Sequence, residues 1–141
     1  NGNLMTISLR EELAFVGMYA DLMKVRFQSG FGLEVVVPEE YKNKFVVPCS
    51  IQMLLENALK HNAASPDDPL SIRISIAGGK RIRVSNSLRR KKTANPEDST
   101  RVGLNYIRQQ YMDQAGMEIT MGEEDGKYVV ELPLIESINV N

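Results

Sequence analysis

The polar residues at the end of one apolar segment are the part of this sequence best suited to chemistry. The segment "MLLENALKHN", residues 53–62, places Asn57, Lys60, His61 and Asn62 among leucines and alanine. An amide oxygen is a neutral, hard ligand that can complete a magnesium shell already supplied with phosphate oxygens. A lysine one turn later can neutralise the same phosphates. The spacing therefore suits Mg-nucleotide, although these residues alone favour an ordinary amphipathic helix whose polar side is wet.

A helix must position these residues if they are to act together. At about 100° per residue, Asn57 and Lys60 lie on one side of the helix with Met53 between them, and His61 lies at the flank. Pro48 stands where helices usually begin, so Cys49 is expected to pack at the helix start. The opposite face is apolar and is predicted to cover a sheet; its residues are Ile51, Leu54, Leu55, Ala58 and Leu59.

Composition indicates a globular chain of one domain, residues 1–141, with 43% hydrophobic residues, 25% charged residues and a formal charge of −1. One cysteine and one histidine exclude an internal disulfide and a Cys/His metal cluster. No apolar run approaches the roughly 18 residues that span a bilayer. The chain begins with Asn1 rather than Met, so we interpret it as a piece of a longer protein, which leaves room for a membrane anchor elsewhere in the parent.

The first predicted helix covers residues 7–27 and has two apolar stripes. Ser8 and Glu11 have capping-box spacing. One stripe is Leu9, Leu13, Val16, Ala20, Met23 and Phe27, and the other is Phe15, Met18, Leu22 and Val25. A helix that is apolar on two sides is buried on two sides. We expect the core on one side and a neighbouring helix or loop on the other; the alternative is that one stripe meets a segment of the parent protein.

The remaining elements predict an α+β fold. A strand ends at Pro38, and hairpins turn at Gly78-Gly79 and Asp125-Gly126. Residues 88–100 are polar and without periodicity, which predicts a long loop. A helix over residues 102–116 ends at Gly116. The order α-β-α-β-β-loop-α-β-β indicates a two-layer sandwich of a mixed β-sheet and helices.

Several segments resemble the ATP-binding catalytic domain of sensor histidine kinases. "FVVPCSIQMLLENALKHN" is similar to the N-box and its lead-in in LytS-type kinases, and "LREELAFVGMYADLMKVRF" to the leading helix of that family. "IRVSNSL" stands at the place of the G1 box, and "STRVGLNYIRQQY" resembles the G2 box. The resemblance covers residues 8–134. It implies the Bergerat-type ATP-binding fold that these kinases share with gyrase, Hsp90 and MutL.

The resemblance assigns roles to individual positions. It makes Asn57 the magnesium ligand and Lys60 the phosphate-facing lysine. Asn86 stands where the family has an Asp that accepts a hydrogen bond from the adenine amino group; its carbonyl still accepts that bond, without charge assistance. His61 is expected to border the nucleotide pocket. It is not the phosphoacceptor, which in the family lies on a separate upstream helix.

The G2 box and the loop before it are expected to contact the phosphates. Ser99 and Arg101 replace the first two glycines, Thr100 offers a hydroxyl, and Gly103 and Leu104 follow. The basic run 89–92 and the loop to residue 100 occupy the place of the ATP lid; a solvated loop is an equally good interpretation.

The resulting prediction is the catalytic part of a protein-histidine kinase with ATP and Mg²⁺ as cofactors. Met53 stands where water-hydrolysing relatives have a catalytic Glu, which argues against a stand-alone ATPase. The implied partners are the histidine-containing dimerisation domain of the parent homodimer and a response regulator. We expect no nucleic acid and no direct membrane contact, with the domain in the cytoplasm and its parent in the inner membrane.

Two alternatives keep the fold and change the function. A degenerate pseudokinase module would act through protein contacts alone, in keeping with the altered G1 and G2 boxes and the two-sided first helix. An anti-sigma-factor serine kinase shares the fold, but the LytS-like leading helix makes it a weaker match.

Overall fold

The computed structural model describes residues 5–89 and 96–136, without the side chains of residues 96–101. Within these residues, helices cover one face of a five-stranded sheet, and a two-stranded sheet lies beside them. The helices are α1 Leu9–Arg26, α2 Ser50–His61 and α3 Pro96–Ala115, with a short 3-10 helix at Glu39–Tyr41. The strands are β1 Ile7–Ser8, β2 Phe31–Val36, β3 Phe45–Val46, β4 Leu70–Ala77, β5 Arg81–Ser87, β6 Thr120–Glu124 and β7 Lys127–Pro133. The predicted α+β two-layer sandwich is confirmed.

The five-stranded sheet has the order β2-β4-β5-β7-β6. Strand β2 pairs with β4 in parallel, and the other neighbours are antiparallel. Alternate residues of the central strands are buried, among them Ile72, Ile74, Ile82 and Val84. The predicted apolar face of α2 is buried against them. In the part of the chain that the structure describes, no helix is long and apolar enough to cross a membrane.

Helix α1 begins as its sequence predicts. Ser8 is the N-cap, and its Oγ accepts a hydrogen bond from the Glu11 amide at 3.1 Å. The first stripe packs on the core, with Leu9 and Val16 fully buried. The second stripe lies in solvent: Phe15, Met18, Leu22 and Val25 are 50%, 64%, 67% and 80% exposed. The expected neighbouring helix or loop over this stripe is therefore wrong for the described residues, since their helices pack on the opposite side of α1.

Both predicted hairpin turns are present, but the loop predicted over residues 88–100 extends too far, because its last residues belong to α3. Gly78, Gly79, Asp125 and Gly126 have positive φ angles, as tight turns between antiparallel strands require. Helix α3 ends at Ala115, and Gly116 follows it with a φ of +63°, as predicted for the residue that stops the helix. It begins at Pro96, however, and not after residue 100. The absence of apolar periodicity at 96–101 concealed this start, although a proline followed by Glu97 and Asp98 favours a helix N-terminus.

Tyr111 joins α3 to the start of α2 and makes the stability of the fold depend on pH. Its hydroxyl accepts a hydrogen bond from the Val47 amide at 3.2 Å and lies 3.0 Å from Ser50 Oγ. Burial raises the pKa of Tyr111 from 10.0 to about 12. The stabilising effect of the neutral phenol is thus complete below the unfolded pKa and is lost as pH rises toward the folded one.

We expect Tyr111→Phe to reduce the alkaline loss of stability. Between about pH 9 and pH 11.5, the unfolding free energy of the wild type should fall by about 2 kcal/mol more than that of the variant. At neutral pH the variant should be about 1 kcal/mol less stable, because the Val47 amide loses its acceptor. Urea titrations followed by circular dichroism measure both effects, with the exposed Tyr106→Phe as control. Equal alkaline losses in Tyr111→Phe and wild type would contradict the assignment.

Candidate functional site

The N-terminus of α2 is held by a residue of another helix. Cys49, the N-cap, is exposed, has a φ of +67° and makes no side-chain capping bond. Glu12 of α1 replaces that cap: its carboxyl oxygens accept hydrogen bonds from the amides of Cys49, Ile51 and Gln52 at 2.9, 3.1 and 3.3 Å. Glu12 is 1% exposed. Sequence analysis missed this residue, although a glutamate between Leu9 and Val16 on a buried stripe is a signal that it has a partner.

Asn57 has an unpaired amide at the junction of α2 and α3. Its Nδ2 atom is buried and has no hydrogen-bond partner among the described residues. A Cβ atom built on Gly103 of α3 would lie 3.2 Å from this Nδ2 and 3.7 Å from Oδ1. A half-turn of the amide exchanges its nitrogen and oxygen, so an oxygen can occupy the same position. Glycine at position 103 thus leaves room around a polar group that has no partner among the described residues.

This geometry fits magnesium that arrives with a nucleotide. Among residues 5–89 and the described side chains of 102–136, no group of three or more His, Cys, Asp or Glu side chains is placed to hold a metal ion. Mg²⁺ prefers octahedral oxygen coordination and commonly takes few ligands from protein and the others from phosphates and water. The Asn57 amide can therefore supply one ligand of a phosphate-bound ion.

The other predicted residues of α2 differ in exposure. Lys60 is exposed in the last turn, one turn beyond Asn57, and its ammonium group is accessible to phosphates. His61 is 8% exposed. It belongs to the buried residues of α2 and, like Asn86 of β5, it is nearly covered; its predicted place at the flank of the pocket stays a prediction. Met53 is partly buried and packs against the core.

Asn86 presents an acceptor beside α2. It is 7% exposed near the end of β5, and its Nδ2 donates a hydrogen bond to the Ser87 carbonyl at 2.8 Å. In the described part of the chain no donor reaches its Oδ1. The amide is thus oriented with its oxygen available, which is the orientation that accepting a bond from an exocyclic amino group requires.

The predicted phosphate-contacting residues are only partly described. Ser99, Thr100 and Arg101 lie in the first turns of α3, but their side chains lie outside the described part. Residues 90–95, most of the predicted lid, are also outside it. Leu104 is 5% exposed and its side chain belongs to the hydrophobic core. Gly103 is the G2-box residue that the structure places against Asn57.

Gly103→Ala is expected to change stability and nucleotide affinity in opposite directions. Alanine favours a helix interior over glycine by about 1 kcal/mol, so the variant should unfold at a higher temperature. Its methyl group would push on the Asn57 amide, so Mg-ATP binding should weaken about three- to tenfold. Gly17→Ala in α1, which meets no atom within 4 Å, is the matched control with the stability gain alone. Thermal unfolding and calorimetric titration separate the two effects; unchanged affinity in Gly103→Ala would remove position 103 from the site.

Comparisons with known proteins find sensor histidine kinases. No protein-family model matches the chain. It is 35% identical to the sensor histidine kinase/phosphatase LytS of Staphylococcus aureus over 71 residues, which are 50% of this chain and 12% of LytS. It is 26% identical to the sensor protein kinase HptS of S. aureus over 126 residues, 81% of this chain and 24% of HptS. The chain therefore spans less than a quarter of these curated relatives.

Solved structures of histidine kinases share the fold. The cytoplasmic segment of QseC has a TM-score of 0.66 at 13% identity, over 96% of this chain and 80% of that one. The nucleotide-free catalytic domain of ThkA has a TM-score of 0.64 at 16% identity, over 96% of this chain and 99% of that one. Full-length ShkA in complex with AMPPNP has a TM-score of 0.57 at 19% identity, over 96% and 32%. In sequence and in fold, the chain resembles the catalytic domains of LytS-like sensor histidine kinases.

Proposed function

This chain has the fold of histidine kinase catalytic domains and is similar in sequence to LytS and HptS, and we propose that it binds Mg-ATP for phosphoryl transfer to a histidine. The acceptor histidine lies outside this chain, on a dimerisation domain of the parent protein. The observation that carries the proposal is the unpaired amide of Asn57 beside Gly103. A buried polar atom without a partner is costly, and an incoming ligand can remove that cost.

Each residue of the site has a distinct task in this proposal. Asn57 would hold Mg²⁺, which neutralises charge on the phosphates when it is bound. Lys60 approaches the same phosphates from the exposed side of α2. Asn86 would accept a hydrogen bond from the adenine amino group. Since phosphoryl transfer relies mainly on positioning and charge neutralisation, these residues need no general base among them.

A methionine at position 53 favours a kinase over an ATPase. Met53 lies one turn before Asn57, and its thioether cannot take a proton from water. Water bound near the phosphates would therefore lack activation from this side chain. An incoming histidine nucleophile needs less help, so the site is suited to transfer rather than hydrolysis.

The exposed stripe of α1 is the surface that we assign to the parent's dimerisation helices. Phe15, Met18, Leu22 and Val25 are separated by three, four and three positions. This is the heptad spacing by which one helix packs along another. The parent would be a homodimer, and a response regulator would receive the phosphoryl group from it. This domain would lie in the cytoplasm and its parent in the cell membrane.

A pseudokinase module is the second candidate. Its support is the altered boxes: Asn86 stands in place of a charged aspartate at the expected adenine position, and Ser99 and Arg101 stand in place of glycines in the G2 box. In such a module the exposed stripe of α1 would act through protein contacts alone. The two candidates differ in whether the domain binds nucleotide.

Calorimetric titration and thermal unfolding with Mg-ATP test the proposal. A native state that binds is stabilised by about 2.7 kcal/mol at a ligand concentration 100-fold above Kd. We expect Mg-ATP to raise the melting temperature, and the increase to shrink when EDTA removes magnesium. A folded domain with no heat of binding and no shift at about millimolar ATP, a concentration that detects even weak ligands, would instead support the pseudokinase.

A further inference from the structure

Two hydrogen bonds join the end of α2 to the segment that follows β5. Asn62, the C-cap of α2, is 5% exposed. Its Oδ1 accepts a hydrogen bond from the Arg89 amide at 2.9 Å. The Ala63 amide donates to the Arg89 carbonyl at 2.6 Å. Arg89 is therefore held through both of its backbone polar groups.

The Asn62 side chain is itself fixed in one orientation. Its Nδ2 donates to the Ala58 carbonyl at 3.0 Å, within its own helix. That bond directs Oδ1 outward to Arg89. An amide is suited to this place because it carries a donor and an acceptor on one short side chain, whereas an ionised aspartate only accepts and alanine does neither.

The joined segments carry the two sides of the candidate site. Asn57 and Lys60, on the phosphate side, precede Asn62 on α2. Asn86, on the base side, lies three positions before Arg89 and belongs to β5. The Asn62–Arg89 contact thus links the segment that carries Asn57, which is expected to meet the phosphates, to the segment that carries Asn86, which is expected to meet the base. The guanidinium of Arg89 also forms a salt bridge with Asp68, so the side chain of Arg89 is held as well as its backbone.

We propose that Asn62 is a positioning residue that sets the spacing between Asn57 and Asn86, and thereby lets one nucleotide engage both. It touches neither metal nor nucleotide. The inference rests on the proposed function, because that function assigns the two sides of the site. Asn62 acts by holding β5 against α2 at one separation, so its effect appears with a ligand that spans both sides and not with one that touches a single side.

Three ligands distinguish positioning from general damage. Asn62→Ala should bind Mg-ATP about tenfold more weakly, because the Arg89 amide loses its acceptor and the two sides separate. Adenosine and magnesium tripolyphosphate each meet one side, and their affinities should stay within about twofold of wild type. Asn62→Asp keeps an oxygen for the Arg89 amide but loses the donor to the Ala58 carbonyl. Its Mg-ATP affinity should therefore lie between those of wild type and Asn62→Ala.

A control variant accounts for lost stability. Tyr111→Phe also removes a buried hydrogen bond at an end of α2, but at the end far from Arg89. It should lower the melting temperature and leave the Mg-ATP affinity unchanged. If all three ligands weaken by the same factor in Asn62→Ala, or if Tyr111→Phe weakens Mg-ATP equally, the positioning role is overturned.

A measurement without ligand separates this inference from the proposed function. Spin labels at Glu56→Cys on α2 and Lys127→Cys, which faces Ser87 across the β5–β7 pair, report the separation of the two sides in a Cys49→Ser background. We expect a narrow distance distribution that Asn62→Ala broadens or shifts. An unchanged distribution would overturn the inference whether or not Mg-ATP binds. Failure of wild type to bind Mg-ATP would overturn the proposed function and the role of Asn62 in nucleotide binding, whereas the spin-label distances would still show whether Asn62 sets the spacing.

Discussion

Asn57→Ala is expected to lose about 30- to 150-fold in Mg-ATP affinity. A polar contact to a charged group is worth about 2–3 kcal/mol, which gives this range. The variant should remain folded, because the Nδ2 atom that it removes has no partner among the described residues. Replacing Asn57 by alanine therefore breaks no hydrogen bond from Nδ2 to another described residue.

Magnesium dependence makes the Asn57 experiment specific. In EDTA, wild type and Asn57→Ala should bind ATP with similarly low affinity, since the amide then has no metal to contact. Glu56→Ala, an exposed neighbour on the same helix, is the matched control and should bind as wild type does. Calorimetric titration gives all six affinities. A full loss in both magnesium and EDTA would show that Asn57 supports the pocket by packing and is not the metal ligand.

Glu12→Ala should lower the free energy of unfolding by about 3 kcal/mol. Three amides at the start of α2 donate to its carboxyl oxygens, and alanine would leave them without an acceptor. The bond from Ile51 is buried, and those from Cys49 and Gln52 are part-buried. An unsatisfied buried donor costs about 1–3 kcal/mol, whereas domains of this size are stable by about 5–15 kcal/mol. The variant is thus expected to fold with clearly reduced stability.

Glu12→Gln gives a milder form of the same test. It keeps one oxygen but turns an NH₂ group toward amides that also donate, so a loss of about 2 kcal/mol is expected. Glu11→Gln is its control, since Glu11 is exposed beside it and surface changes stay within about 0.5 kcal/mol. Urea unfolding followed by circular dichroism measures these differences. If Glu12→Gln matched Glu11→Gln, the cap would contribute little to the stability of α2.

Local patterns in the sequence predicted most of the elements. The apolar face of α2, the Ser8 cap of α1 and the hairpin turns at Gly78-Gly79 and Asp125-Gly126 all depend on neighbours a few positions apart. Periodicity and turn chemistry report such short-range constraints directly. Where periodicity was absent, at the start of α3, the same reasoning failed and extended a loop over a helical turn.

The sequence also predicted which element carries each residue of the candidate site. Resemblance to a kinase motif placed Asn57 and Lys60 on one helix and Asn86 on a strand, and the structure puts them on those elements. Their exposure was not available. His61 and Leu104 are buried, which no local pattern indicated. A helical projection gives the direction of a side chain and says nothing about which neighbouring element covers it.

The contacts that support the site were decided by the tertiary structure. Glu12 meets Cys49 across 37 positions of the chain, and Asn62 meets Arg89 across 27. No short-range pattern encodes such pairs, because they exist only when α1, α2 and β5 have packed. The exposure of the second α1 stripe has the same origin, since periodicity marks a stripe as apolar and only packing determines whether anything covers it. The sequence by itself therefore determined the elements and the chemistry they carry, while packing determined which polar groups were left for a ligand.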